Sequence, residues 1–189
     1  MPAQPTLPKI CIALGLNTVE KLMAHAHAEV ESGEKFLEFR LDYLPSPMDG
    51  VKALPKFLRE NPECTVLATV RRHQNHGKFD GSIPEQLRIL EAAVEAGAVA
   101  VDLEIESAEN ATDKLEHLRN SCKLVISYHN FEGTPSIEPV FKRMAKIPAY
   151  AYKIVTTARK PSDAYKMLAL AKAQNDSKDF NGAAASWRV

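Results

Sequence analysis

The sequence has no GxGxxG turn, no GxxxxGK[ST] loop and no CxxC pair. Its first strand leads into Gly15-Leu16-Asn17-Thr18 instead, without the glycines that let a helix N-terminus cradle a pyrophosphate. The usual dinucleotide and P-loop signatures are therefore missing. An excess of charge is missing too: Lys plus Arg and Asp plus Glu each number 24, so no net field draws in nucleic acid or anionic lipid. No apolar run is long enough to span a bilayer. Met1 to Pro8 carries three prolines and no apolar core, which excludes a signal peptide; residues 1–8 read as a flexible arm. Cys11, Cys64 and Cys122 are odd in number and far apart, which argues against a disulfide framework or a zinc cluster and for a reducing cytoplasm. His25 and His27 are two apart on a helix and face apart, and His73 and His76 have no expected carboxylate or thiol beside them, so no metal site is read.

What is present is alternation. Short β-rich runs are read at Ile10–Leu14, Phe36–Leu41, Thr65–Val70, Ala100–Glu104, Lys123–Tyr128 and Ala149–Val155. Each is followed by an amphipathic stretch: Val19–Glu31, Met48–Glu60, Pro84–Ala96, Thr112–Asn120, Ile137–Ala145 and Pro161–Gln174. Strands alternating with helices predict a parallel sheet covered by helices. With nucleotide fingerprints absent, the (β/α)8 TIM-barrel lineage is favoured over an open doubly wound sheet. Eight units and about 250 residues make a whole barrel, so the expectation is an incomplete one of about six βα units over residues 9–174. Residues 175–189, polar and then Ala-rich, are expected to be irregular, without a seventh strand.

Charge sits where strands should be apolar. Side chains at i and i+2 share a face. Glu38, Arg40 and Asp42 therefore fall together on the second strand, and Leu37, Phe39 and Leu41 on its other side. Asp102 pairs in this way with Glu104 and Ser127 with His129, while Lys153 lies within Ala-Tyr-Ala-Tyr-Lys-Ile-Val. Buried charge is costly unless paired. One reading is a structural ion network in which Glu38 and Asp102 neutralise Arg40 and Lys153. The other is an active site at the C-terminal ends of the strands. There a desolvated Lys153 amine would attack a ketone and His129, just past the fifth strand, would move protons. Arg71 and Arg72 close the third strand, where a carboxylate could sit.

Five short motifs in order carry a resemblance: Glu38-Phe39-Arg40-Leu41-Asp42, Thr69-Val70-Arg71, Val101-Asp102-Leu103-Glu104, Ser127-Tyr128-His129-Asn130-Phe131 and Tyr152-Lys153-Ile154-Val155. Together they resemble type I 3-dehydroquinate dehydratase, from the first strand to about Gln174. The resemblance implies a lyase of the shikimate pathway and of aromatic amino acid biosynthesis. Lys153 would form a Schiff base with 3-dehydroquinate, and His129 would serve as acid and base. Glu38, Arg40 and Arg71 would contact the substrate, and Asp102 would be a lumen carboxylate near the lysine. No metal or organic cofactor is implied. Two features depart from the family. After Arg71 the loop runs Arg72-His73-Gln74-Asn75-His76-Gly77-Lys78, with Asn75 where a glutamate is usual. Nothing after Gln174 matches the family's last two strands, which supply an arginine and a lid.

The departures leave two other readings: another Schiff-base barrel enzyme of the aldolase type, and a catalytically silent barrel fragment acting through association with another chain. The expected behaviour is very weak dehydratase activity at most, with self-association, as a homodimer or otherwise, through the exposed first and sixth strands.

Overall fold

The computed structural model describes residues 7–176 and 184–185. It divides into two compact units, Met1–Val101 and Asp102–Val189.

In the first unit the order is β1 (Ile12–Leu14), α1 (Val19–Glu31), β2 (Phe36–Arg40), α2 (Pro47–Glu60), β3 (Thr65–Thr69) and α3 (Ile83–Glu95), with the first residues of β4 (Ala100–Glu104) closing it. β1 pairs with β2 and β2 with β3, all parallel, with Glu38 opposite both Ala13 and Leu67. Local chemistry sets the helix ends. The Thr18 hydroxyl accepts the Lys21 N–H at 3.3 Å to start α1, and Gly33, at φ 102°, turns the chain out of it. A reciprocal Ser82–Glu85 capping box starts α3. Pro47 occupies the first turn of α2, where a missing N–H costs nothing, so that helix begins one residue earlier than the sequence suggests. The apolar face of β2 meets the helices as expected: Leu37 and Phe39 are fully buried, and Phe39 packs on Phe57 of α2 with ring centroids 5.4 Å apart. Burying a side chain such as Phe57 contributes about 1.5–3 kcal/mol.

The second unit holds the rest of β4, α4 (Ile105–Ala108), α5 (Thr112–Ser121), β5 (Lys123–Asn130), α6 (Ile137–Met144), β6 (Ala151–Thr156), α7 (Pro161–Asp176) and β7 (Ala184–Ala185). β5 and β6 are parallel, with Ser127 opposite Lys153 and His129 opposite Val155. Arg143 of α6 forks onto Glu109 at 2.6 and 2.8 Å and reaches Glu106 at 3.1 Å. The carboxyl of Glu109 is consequently held below its usual range, chiefly by those hydrogen bonds.

Three expectations need correction here. β5 continues to Asn130, so His129 lies within the strand rather than past it, because the ladder with β6 runs on to Thr156. The short α4 follows β4 directly and has no counterpart in the sequence reading; one buried turn is too short to show a period. The stretch taken as irregular contains β7, paired parallel to β6 with Tyr152 opposite Ala184. That ladder is made by backbone groups and needs no β-branched run. The N-terminal arm and most of residues 175–189 fall outside the described residues.

Candidate functional site

In the first unit the candidates gather where β2 and β3 end. Glu38 is 5% exposed, and the Thr69 hydroxyl donates to its Oε1 at 2.7 Å. A buried carboxylate with a fixed donor is held in one orientation. Arg40 closes β2, and the chain then turns tightly through Leu41–Tyr43. That turn takes Asp42 off the strand face on which alternation had placed it. Its carboxylate swings back onto Arg40, accepting from Nε at 2.9 Å and Nη2 at 2.8 Å. The Tyr43 ring lies 4.8 Å from the guanidinium. Burial alone would make Arg40 a stronger acid, but the Asp42 hydrogen bonds and charge, reinforced by Glu38, hold its pKa above the ordinary value. Asp42, rather than Glu38, is thus the hydrogen-bonded partner of Arg40. Arg71 is buried just past β3. The carbonyl before it, Val70 O, accepts from the fully buried Gln86 amide of α3 at 2.8 Å.

The loop after Arg71 folds back on itself. Phe79 N–H donates to Arg71 O at 3.0 Å and His73 N–H to Phe79 O at 2.8 Å. A Cβ at Gly77 would come within 2.0 Å of Arg71 O, so only glycine fits there. Contrary to the sequence reading, His73 does have a carboxylate beside it: Asp80 approaches Nδ1 to 2.8 Å. Among the described residues no group of three or more His, Cys, Asp or Glu is placed to hold a metal ion. The Cys64 and Cys122 thiols are pushed up by burial to about 11 and about 12, which makes them unreactive rather than nucleophilic.

In the second unit a lysine, a carboxylate and a hydroxyl form one buried chain. Lys153 Nζ donates to Asp102 Oδ2 at 3.1 Å, and Ser127 Oγ donates to Oδ1 at 2.6 Å. The Lys153 side chain is 11% exposed and that of Asp102 is 0%. Both carboxylate oxygens are engaged, so Asp102 cannot rotate away from the lysine. His129 stands two residues beyond Ser127 on the same face of β5, its ring nearly parallel to that of Phe131 at 6.1 Å. Chemically this set offers an amine shielded from water, an acceptor at 3.1 Å for a proton leaving it, and an imidazole on the adjacent strand. Of the supporting groups, Thr69 and Ser127 were open to detection, since each lies two residues before a candidate on one face. Asp42 acts through a turn that no alternation rule describes.

The model of the type I 3-dehydroquinase family matches residues 10–182. A 3-dehydroquinate dehydratase from Dehalococcoides mccartyi is 34% identical over 174 residues, covering 90% of this chain and 72% of that protein. One from Methanopyrus kandleri is 39% identical over 153 residues, covering 77% of this chain and 66% of that protein. The crystal structure of 3-dehydroquinate dehydratase from Geobacillus kaustophilus superposes with a TM-score of 0.82 at 22% identity, covering 96% of this chain and 73% of that one. The α/β fold of the TIM-barrel lineage is shared with it.

Proposed function

This chain belongs to the type I 3-dehydroquinase family, and from that premise we propose that it dehydrates 3-dehydroquinate to 3-dehydroshikimate through a Schiff base on Lys153. The observation that carries the reading is a lysine buried in a strand of such a chain, 3.1 Å from a carboxylate that a second donor holds still. Lys153 Nζ gives up a proton, attacks the C3 ketone, and water leaves as the imine forms. The imine is an electron sink. His129 takes the proton from C2, the electron pair flows toward the iminium nitrogen, and the C1 hydroxyl departs as water with a proton returned by His129. Hydrolysis of the imine releases 3-dehydroshikimate and restores the lysine.

Glu38, Arg40 and Arg71 are the proposed substrate contacts, supported by the burial of Glu38 and Arg71 and the half-buried Arg40 around the ends of β2 and β3. Arg40 and Arg71 would bind oxygens of the anionic substrate. Asp102 keeps Lys153 in place and accepts its proton. The reaction draws on this chain's own side chains. A cytoplasmic location fits three free, buried cysteines, and no described helix is long and apolar enough to cross a membrane. Self-association as a homodimer or larger species is also proposed, supported by the exposed Ile10 beside β1, which has a strand neighbour on one side only among the described residues. Incubation of the purified chain with 3-dehydroquinate tests the activity. Formation of 3-dehydroshikimate that disappears in Lys153→Met supports it, and no product, or product at an equal rate in that variant, overturns it.

A further inference from the structure

We propose that Asp42 is a positioning residue for substrate binding, one carboxylate that fixes both the guanidinium of Arg40 and the loop that starts at Arg71. The inference rests on the proposed role of Arg40 and Arg71 as substrate contacts. Three N–H groups converge on Asp42, whose side chain has no exposed surface: Arg40 Nε at 2.9 Å, Arg40 Nη2 at 2.8 Å and the backbone N–H of Lys78 at 3.1 Å. The first two form a planar fork, which fixes the guanidinium in orientation as well as position. The third ties the end of β2 to the far side of the loop, 36 residues along the chain.

That tie matters because the rest of the loop already closes onto Arg71. Gly77 packs against the Arg71 backbone, and Phe79 N–H bonds to Arg71 O at 3.0 Å. Lys78 lies between these two residues. Fixing its N–H therefore fixes the ring of backbone from which the Arg71 side chain springs. An ion pair that served stability alone would need only Arg40. The extra bond to Lys78 links two proposed substrate contacts through one group, and Lys78 Nζ adds a cation 5.9 Å from the same Tyr43 ring that faces Arg40.

The experiment compares Asp42→Asn, Asp42→Glu, Arg40→Gln and the double variant Arg40→Gln with Asp42→Asn, using 3-dehydroquinate kinetics and amide hydrogen exchange. Charge-assisted hydrogen bonds of this kind convert to about 10–100-fold in affinity. Asp42→Asn should raise KM by that order and kcat should change much less. Exchange at Lys78 should quicken. The double variant should lose less than the two single losses combined, because Asp42 acts in part through the Arg40 guanidinium, and Asp42→Glu should recover part of the loss. The double variant also removes both charges together, so it reports even if isolated Asp42→Asn folds poorly. An unchanged KM, a loss wholly in kcat, or additive losses in the double variant would overturn the proposal. If the parent chain does not act on dehydroquinate, the proposed function fails first. Lys78 exchange then decides alone: quicker in Asp42→Asn sustains the tie, and unchanged exchange ends it.

Discussion

Replacing Asp102 by alanine would remove a carboxylate 3.1 Å from buried Lys153, and the geometry gives the size of the effect. At 3.1 Å the pair attracts by about 5 kcal/mol with an effective dielectric constant near 20. Desolvating both ions offsets most of that gain, so the intact pair adds little net stability. Removing one partner is different, because the other keeps its desolvation cost; such changes cost about 3–5 kcal/mol. The Ser127 hydroxyl loses its acceptor as well, for about 1 kcal/mol more. For a chain of this size a loss of 3–5 kcal/mol lowers Tm by roughly 6–20 °C. Urea denaturation would show a lower midpoint at unchanged slope. The companion variant, Asp102→Leu with Lys153→Met, removes both charges and should recover most of the loss while abolishing the reaction. If Asp102→Ala costs less than about 1 kcal/mol, or if the double variant is no more stable, the two groups are solvated and the buried-pair argument is wrong.

His129→Ala should fold normally and slow turnover by about 10²–10⁴-fold, as loss of a general acid–base group does; steady-state rates beside a circular dichroism spectrum check both halves. Gly77→Ala should loosen the loop after Arg71 and weaken substrate binding, since the new methyl would meet backbone that cannot step aside; calorimetric titration with dehydroquinate reads this, and wild-type affinity would contradict it. Asp163 should matter in acid. Burial raises its pKa, but the Arg159 N–H, with the Lys166 hydrogen bond and charge, outweighs that and leaves it below the ordinary value of 3.8. A depressed carboxylate contributes stability that is present above the unfolded value and lost as pH falls through the folded one. Asp163→Asn should thus be less stable than the parent at neutral pH, with the gap beginning to narrow only below about pH 4 and closing below the depressed folded value; a gap that stays constant through that acid range would refute the assignment.

Much of this was legible before any coordinates. Period-two alternation picked out the buried charges of β2, β4 and β6, because a carboxylate or amine in a strand is conspicuous whatever its partner. It also put Ser127 and His129 on one face. What it missed depends on contacts between segments. Asp42 leaves the strand because a fork onto Arg40 outweighs continuing the extended chain. Asp80 reaches His73 only after the loop has folded, and alanines 184 and 185 become a strand because β6 offers backbone partners.

The claim on which the account turns is that Lys153 forms the imine. Borohydride added during incubation with 3-dehydroquinate would reduce that imine to a stable secondary amine, and peptide mass spectrometry would locate it. The account predicts a ligand-sized increment on the peptide containing Lys153, dependent on substrate and lost in Lys153→Met. An increment on a different lysine with Lys153 unmodified, or turnover with no increment anywhere, would contradict it.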